Sequence, residues 1–145
     1  MLRAAVVAAG LFLCASGAQA TGGFSCTIDD SNLKFDAQSA FSHGMGEQLV
    51  NFRAEAEILA DGTPEPLRKV NLDGALVHSW LYGPDLKLRL YRETATGAHG
   101  YVEIIVETRS PGEDDTDYEG TYKLRIFVAE SGELVFNGKA SCSVG

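Results

Sequence analysis

The chain has 145 residues, 45% of them hydrophobic, and its 20 acidic and 12 basic side chains give a formal net charge of −8 at pH 7. This length suits one domain with a single hydrophobic core. The acidic balance argues against nucleic acid as a partner, because phosphate binding needs a basic surface. A basic protein or a small ligand remains a possible partner.

The first 20 residues have the features of a secretory signal peptide. Arg3 supplies a positive charge, residues 4–13 form an uncharged apolar run, and Ala18-Gln19-Ala20 is a small-residue cleavage site. We expect cleavage between Ala20 and Thr21, a single mature domain of residues 21–145, and a secreted or periplasmic location. The apolar run is shorter than the roughly 20 residues that cross a bilayer, so no membrane association is expected after cleavage. An uncleaved anchor or a buried helix is the alternative.

An alternation of apolar and polar side chains with a period of two dominates the first half of the mature chain. It predicts strands over 24–28, 33–41 and 50–58, with a turn at 29–32. The segment 50–58 is also rich in helix formers, so a helix is the alternative there. After a loop containing Gly and Pro, residues 67–72 predict a weak strand.

The second half continues the same pattern, except at residues 75–82. Apolar side chains on both faces of that segment are typical of a central strand covered on two sides. After a turn at 83–85, the alternation predicts strands over 86–90, 102–106, 122–128 and 134–142.

One predicted hairpin, of residues 101–109 with 119–128, also has a matching charge pattern. In this pairing, Glu103 and Glu107 of one strand would lie on the same polar face as Lys123 and Arg125 of the other. Opposite charges across two strands support the same register as the apolar faces.

About eight short strands separated by turns predict an all-β fold, an antiparallel β-sandwich, with a flattened β-barrel as the alternative. Cys26 and Cys142 lie on the apolar faces of the first and last strands. In an oxidising compartment they are expected to form a disulfide in the core that ties these strands together. Two free thiols or an intermolecular bond are the alternatives.

The acidic loop around residues 112–119 is the most conspicuous polar feature. Asp115, Asp117 and Glu119, followed by Gly120, match the first half of an EF-hand loop, but Ile126 stands where the bidentate Glu is required. We therefore predict no EF-hand. The loop is a candidate ligand or cation site, with a solvated hairpin loop as the alternative; its carboxylates are Glu113, Asp114, Asp115, Asp117 and Glu119.

His78, Trp80 and Tyr82 share one face of a predicted strand and form a candidate pocket. A hydrogen-bonded core histidine beside a core tryptophan is the alternative interpretation. The other histidines, His43 and His99, lie far away in sequence and no metal-binding spacing occurs, so neither a metal site nor a cofactor is predicted.

The sequence contains no nucleophile motif and no phosphate-binding glycine loop, and no catalytic residue is assigned. The leading hypothesis is a non-enzymatic binding or interaction module for a protein or a small ligand, acting through a sheet face or the loops at 94–100 and 112–119. The alternative is a periplasmic hydrolase that uses carboxylates or His78 in a β cleft. A stalk or coat subunit would need an open edge strand and self-association.

Overall fold

A computed structural model describes residues 21–42, 48–112 and 115–145, and its strands form one antiparallel sheet. The predicted signal segment lies outside the described residues. The strands are β1 (Thr21–Asp29), β2 (Leu33–Ser42), β3 (Gln48–Ile58), β4 (Lys69–Asn71), β5 (Leu76–Tyr82), β6 (Asp85–Glu93), β7 (Gly100–Arg109), β8 (Asp117–Val128) and β9 (Gly132–Val144). A single 3-10 turn, Glu65–Leu67, precedes β4.

The sheet consists of two meanders joined by one strand pair. Its order is β4-β3-β2-β1-β9-β8-β7-β6-β5, so consecutive strands are neighbours on each side of the β1–β9 junction. The nine strands form a half-barrel. The sandwich is not confirmed, because all described strands belong to one hydrogen-bonded sheet, and the barrel alternative fits instead.

The predicted disulfide joins the first and last strands at this junction. Cys26 lies directly opposite Cys142 in the β1–β9 register, and the two cysteines are bonded across a sequence separation of 116. Both side chains are buried. The disulfide therefore lies in the core, as their positions in the alternating pattern predicted.

The core lies on the inward face of the sheet and is formed by the apolar side chains that alternate with polar ones along each strand. In β3, Ala54, Ala56 and Ile58 are buried while Arg53 and Glu55 are exposed, which confirms a strand and excludes the helix considered for this segment. The same period places large side chains of the other strands in one apolar cluster: Phe24, Phe35, Leu86, Leu88, Leu90, Val102, Ile104, Val106, Tyr122, Leu124 and Ile126.

The prediction of a central strand over residues 75–82 was wrong, because β5 is at one end of the sheet. It pairs with β6 and has no second neighbour among the described strands. The apolar residues on its two faces have different surroundings: Leu76 and Leu81 are partly buried, whereas Val77 and Trp80 are exposed. The apolar residues on both faces of β5 therefore belong to an exposed edge strand of the sheet and not to a central strand that is covered on both faces.

A polar tie links the β1–β2 turn to β8. Asp30 Oδ1 accepts the backbone N–H groups of Asn32 at 2.8 Å and Leu33 at 3.0 Å, and Asp30 Oδ2 accepts the Tyr122 hydroxyl at 2.8 Å. Partial burial acts to raise the pKa of Asp30, but these hydrogen bonds outweigh it and lower the pKa below its ordinary value. Burial, followed by the hydrogen bond to Asp30, raises the pKa of Tyr122 well above its ordinary value.

This tie predicts a specific acid sensitivity. Because the folded state lowers the pKa of Asp30, its stabilising effect is present above the ordinary value of 3.8 and is lost as the pH falls through the folded-state pKa. Asp30→Asn is expected to lower the free energy of unfolding by about 1–2 kcal/mol at neutral pH. The difference from the parent should shrink in acid, measured by chemical denaturation at about pH 7 and about pH 2.5.

Asp61→Asn is the matched control for this prediction, since Asp61 is an exposed residue of the loop between β3 and β4. It should leave the stability at neutral pH within about 0.5 kcal/mol of the parent. A difference between Asp30→Asn and the parent that is equally large at both pH values would contradict the role given to the Asp30 carboxylate.

Candidate functional site

The candidate site is the outer edge of the half-barrel along β5, and a tight turn sets its position. Gly83 and Pro84 connect β5 to β6 in a two-residue hairpin with Tyr82 opposite Asp85. Gly83 has φ of 55°, in the left-handed region that favours glycine, and proline fixes the next φ. The Ser110 N–H donates to the Pro84 carbonyl at 2.9 Å, which anchors the turn to the segment after β7.

A bulge at Val77 decides which side chains of β5 face outward. The β5–β6 register shifts between Leu76, opposite Leu90, and His78, opposite Arg89. Beyond the bulge, Trp80 lies opposite Lys87, and directly opposite residues share a face. His78, Trp80 and Tyr82 therefore lie on the outer face of the sheet, and Leu76 does not share it.

Three exposed side chains make β5 the most apolar exposed part of the described chain. The exposed fraction is 54% for Val77, 49% for Trp80 and 73% for Tyr82. The rings of Trp80 and Tyr82 meet edge to face, with centroids 6.1 Å apart. Leu76–Tyr82 contains no charged residue and no proline, which are the usual devices that keep an edge strand from pairing with another chain.

The backbone of this edge offers hydrogen-bonding groups to a partner. Tyr82 and Asp85 close the hairpin, and hydrogen-bonded pairs alternate with non-bonded pairs along an antiparallel ladder. From the hairpin, the N–H and C=O groups of Leu81 and Ser79 therefore point away from β6. Two residues of β5 thus present backbone donors and acceptors on the open side of the sheet.

The inward side of β5 is held by apolar packing, so the edge has a defined position. Ser79, Trp80 and Leu81 line a narrow apolar cleft against the first and third strands. The side chains opposite them across this cleft include Phe24 and Leu49. Because this packing already holds β5 in place, less conformational entropy of β5 is lost when another strand binds to it.

The other described edge of the sheet is protected. At the far end, β4 has only three residues and begins with Lys69, two features that blunt an edge. The part of β3 that β4 leaves uncovered carries a bulge opposite Gln38–Ala40 and has Asn51 at φ of 57°, and Asp73 Oδ1 accepts the Ala54 N–H at 3.0 Å. Within the described ranges, β5 is thus the edge best suited to pair with another chain.

Cations border the apolar edge. Lys87 of β6 lies 3.5 Å from Glu107, and Arg89 Nε lies 2.7 Å from Glu103 Oε1. The Glu103 side chain is only 6% exposed and is also 3.6 Å from Arg125. The cations occupy the strand next to β5, whereas their carboxylate partners are on β7, one strand further from the edge.

The structure places His78, Trp80 and Tyr82 outside the core, and of these three only Trp80 is among the residues that line the narrow cleft described above. They share a face, as the sequence predicted, but this face is the outer one and all three side chains are exposed. The bulge at Val77 is the physical reason, because it separates these three residues from the inward-facing Leu76. They form an open surface next to the sheet edge.

The acidic loop does not gather its carboxylates in the part that the structure describes. Glu113 and Asp114 lie outside the described residues. Asp115 and Asp117 are exposed, and Glu119 lies opposite Arg109 and accepts the Ser141 hydroxyl at 2.9 Å. Among residues 21–42, 48–112 and 115–145, no three His, Cys, Asp or Glu side chains are placed to hold a metal ion.

A row of aromatic side chains crosses the outer face of β6, β7 and β8, but its rings pack on one another. Tyr101 lies between Tyr91 and Phe127, with ring centroids 5.2 and 5.4 Å away. A hydrogen bond to Glu93 raises the pKa of Tyr91, while burial, followed by a hydrogen bond to Glu133, raises that of Tyr101. The row stabilises this face of the sheet.

A groove of about 710 Å³ runs over the outer face of β1 to β4. Its charges have both signs, and Lys69 lies 3.7 Å from Glu57. The ionisable side chains that line it are Asp29, Lys34, Asp36, Glu55, Glu57 and Lys69. The groove is therefore not lined by charges of a single sign, and its described side chains include no three placed to hold a metal ion.

Sequence reasoning missed three components of the edge site: the open backbone of Ser79, the open backbone of Leu81, and the neighbouring Lys87. The absence of charge and proline over Leu76–Tyr82 was the available signal for an interacting edge. Strand order was not available, since neither the bulge at Val77 nor the end position of β5 follows from the local pattern.

Comparison with known proteins found no family model, no curated protein and no solved structure that matches this chain. In the part of the chain that the structure describes, no helix is long and apolar enough to cross a membrane. The functional argument therefore depends on the geometry of the edge alone.

Proposed function

We propose that this chain is an exported, non-enzymatic binding module that captures an extended polypeptide segment as an added strand along β5. The observation that carries the proposal is the combination, on one edge, of open backbone groups at Ser79 and Leu81 with exposed Trp80 and Tyr82. Export is supported by the signal-like residues 1–20 and is compatible with the Cys26–Cys142 disulfide.

The chemistry of the edge favours a polypeptide over a small ligand. Backbone N–H and C=O groups that alternate along a strand are matched by another extended backbone, and the side chains beside them provide specificity. Exposed Trp and Tyr supply large contact areas with few rotatable bonds and are common in protein interfaces. The surface is open, whereas small-molecule sites are concave.

The hydrolase alternative depended on a cleft that unites His78 with two carboxylates. His78 instead lies on the outer face, opposite Arg89 in the β5–β6 register. This arrangement does not supply the acid and base that such an enzyme needs, so the observed geometry gives more support to a binder.

Ser79→Pro is the sharpest test of the proposal. Proline removes the N–H that points away from β6, leaves the Trp80 and Tyr82 side chains in place, and is tolerated on the open side of edge strands. The probes are the ten-residue peptides that the parent protein enriches from a random displayed library. We expect Ser79→Pro to weaken their binding at least about ten-fold, measured by NMR titration.

Ser79→Ala is the matched control, since it removes the hydroxyl and keeps the N–H; it should bind like the parent. The amides of Ser79 and Leu81 should also exchange more slowly with solvent hydrogen when peptide is bound. If Ser79→Pro does not fold, the Trp80→Ser/Tyr82→Ser variant tests the same edge through its exposed side chains. Enriched peptides that bind equally to all variants, or a failure to enrich any peptide, would refute the proposal.

A further inference from the structure

We infer that the segment captured along β5 is acidic on its outward face, with carboxylates at the positions that face His78 and Trp80. The inference rests on the proposed function and adds the chemistry of the partner. Its basis is a cationic strip on the strand next to the edge, which consists of Lys87 and Arg89 of β6.

The strip lies between the open edge and the carboxylates that pair with it. Lys87 and Arg89 have side chains 50% and 54% exposed, so both are accessible from the outer face. Their partners, Glu107 and Glu103, are on β7, one strand further from β5. A segment added to β5 would approach the cations from the side that carries no acidic residue, since Leu76–Tyr82 contains none.

The spacing of an antiparallel sheet places the new side chains within reach of this strip. An added strand lies about 4.8 Å from β5, and a side chain directly opposite His78 or Trp80 has its Cβ about 4.5–5.5 Å away. Lys87 is the cross-strand neighbour of Trp80, and Arg89 that of His78. A Glu side chain at either position can therefore extend over β5 toward a cation.

Two rows of charges across the outer face follow the same rule. Asp85 lies opposite Arg109, which lies opposite Glu119, and Lys87 lies opposite Glu107. In these two rows the charged residues on neighbouring strands have opposite signs, as expected where opposite charges across strands stabilise the pairing. The row of Arg89 differs, because Arg89 lies opposite Ile105 and Ile105 lies opposite Lys123. In the row that ends at Trp80, a carboxylate on the added strand would lie on the far side of Trp80 from Lys87 and would continue this alternation of charge.

The test uses three peptides of five repeats each, in which valine alternates with glutamate, glutamine or lysine. Binding is measured by NMR titration of the intact disulfide-bonded protein, followed at the amides of Ser79 and Leu81. We expect glutamate to bind more tightly than glutamine and glutamine more tightly than lysine, by about two- to five-fold at each step. Since the whole chain has a net charge of −8, non-specific attraction would give the reverse order.

Lys87→Gln identifies the residue responsible. It should reduce the preference for glutamate over glutamine by about two- to five-fold, and Lys139→Gln should leave that preference unchanged. Lys139 is the matched control because it is an exposed lysine on β9, in the same cross-strand row but three strands from Lys87. Both substitutions remove one positive charge, so the net charge of the two variants is the same.

Two outcomes would overturn the inference alone, provided that Ser79→Pro still weakens binding of the library peptides at least about ten-fold. One is preferential binding of the lysine peptide, and the other is an equal preference for glutamate over glutamine in Lys87→Gln and Lys139→Gln. A third outcome would overturn the proposed function as well. If the free protein is a dimer in light scattering and Ser79→Pro makes it a monomer, the edge is occupied by a second copy of the chain.

Discussion

Replacement of both Cys26 and Cys142 by alanine is expected to lower the free energy of unfolding by about 4 kcal/mol. The disulfide closes a sequence separation of 116 residues, and in the chain-entropy model a loop of this length is stabilised by about 4–5 kcal/mol. Removal of a native disulfide from a small secreted domain typically costs about 2–5 kcal/mol. Denaturant unfolding of the parent and the double variant measures the difference.

The position of the disulfide adds to the expected loss of stability, because it lies where the two meanders have the fewest paired residues. The β1–β9 ladder that joins the two meanders has four register pairs, from Phe24–Val144 to Thr27–Ser141. The β8–β9 ladder has twelve. Because the disulfide lies within the shorter ladder, its removal leaves the junction between the meanders with little local support.

A matched control distinguishes the covalent bond from general disturbance of the junction. Ser25 and Ser143 face each other in the same ladder, one position from the cysteines. Their double replacement by alanine should change the free energy of unfolding by about 0.5 kcal/mol or less. If the cysteine variant and the serine variant lose equal stability, the disulfide does not have the role described here.

The sequence predicted the strands well because the alternation is a local property. Residues 50–58 are an example: buried Ala54, Ala56 and Ile58 follow the period of two even though alanine and glutamate favour helices. The apolar face of each strand and the burial of both cysteines follow from the same period. These features need no information about which strands are neighbours.

Features that depend on strand order were not predictable in this way. A half-barrel and a sandwich require the same inward alternation, so the pattern did not decide between them. The tie between Asp30 and Tyr122 joins residues 92 positions apart. Residues 75–82 were assigned to the sheet centre because apolar residues on two faces do not reveal whether a second neighbour exists.

The disulfide and the Asp30–Tyr122 hydrogen bond, which stabilise the fold, lie on other strands than the candidate site on β5. The disulfide and the Asp30 tie fix β1 to β9 and to β8, whereas β5 is four strands from β9 in the sheet order. Substitutions at the edge should therefore change binding and leave the fold intact. Replacements at the junction should mainly change the free energy of unfolding, because the disulfide and the Asp30 tie do not include any residue of β5.

Gly120→Ala is expected to destabilise the protein by about 3 kcal/mol or more, because the backbone of β7 occupies the space that a side chain would need. Gly120 of β8 lies opposite Thr108 of β7. An added Cβ would overlap the Glu107 carbonyl oxygen and lie 2.7 Å from the Thr108 Cα. Backbone atoms in the middle of a sheet cannot move aside as a flexible side chain can, so the β7–β8 ladder would have to separate locally.

Gly23→Ala is the control for this substitution. Gly23 of β1 is also in an extended strand, but an added Cβ there would meet its nearest neighbour, the Gly145 carbonyl oxygen, at 3.6 Å, an ordinary contact. Its stability should stay within about 0.5–1 kcal/mol of the parent, with a small gain from reduced freedom of the unfolded chain. Denaturant unfolding that finds equal stabilities for the two variants would show that β7 and β8 do not approach each other as closely at Gly120 as the structure describes.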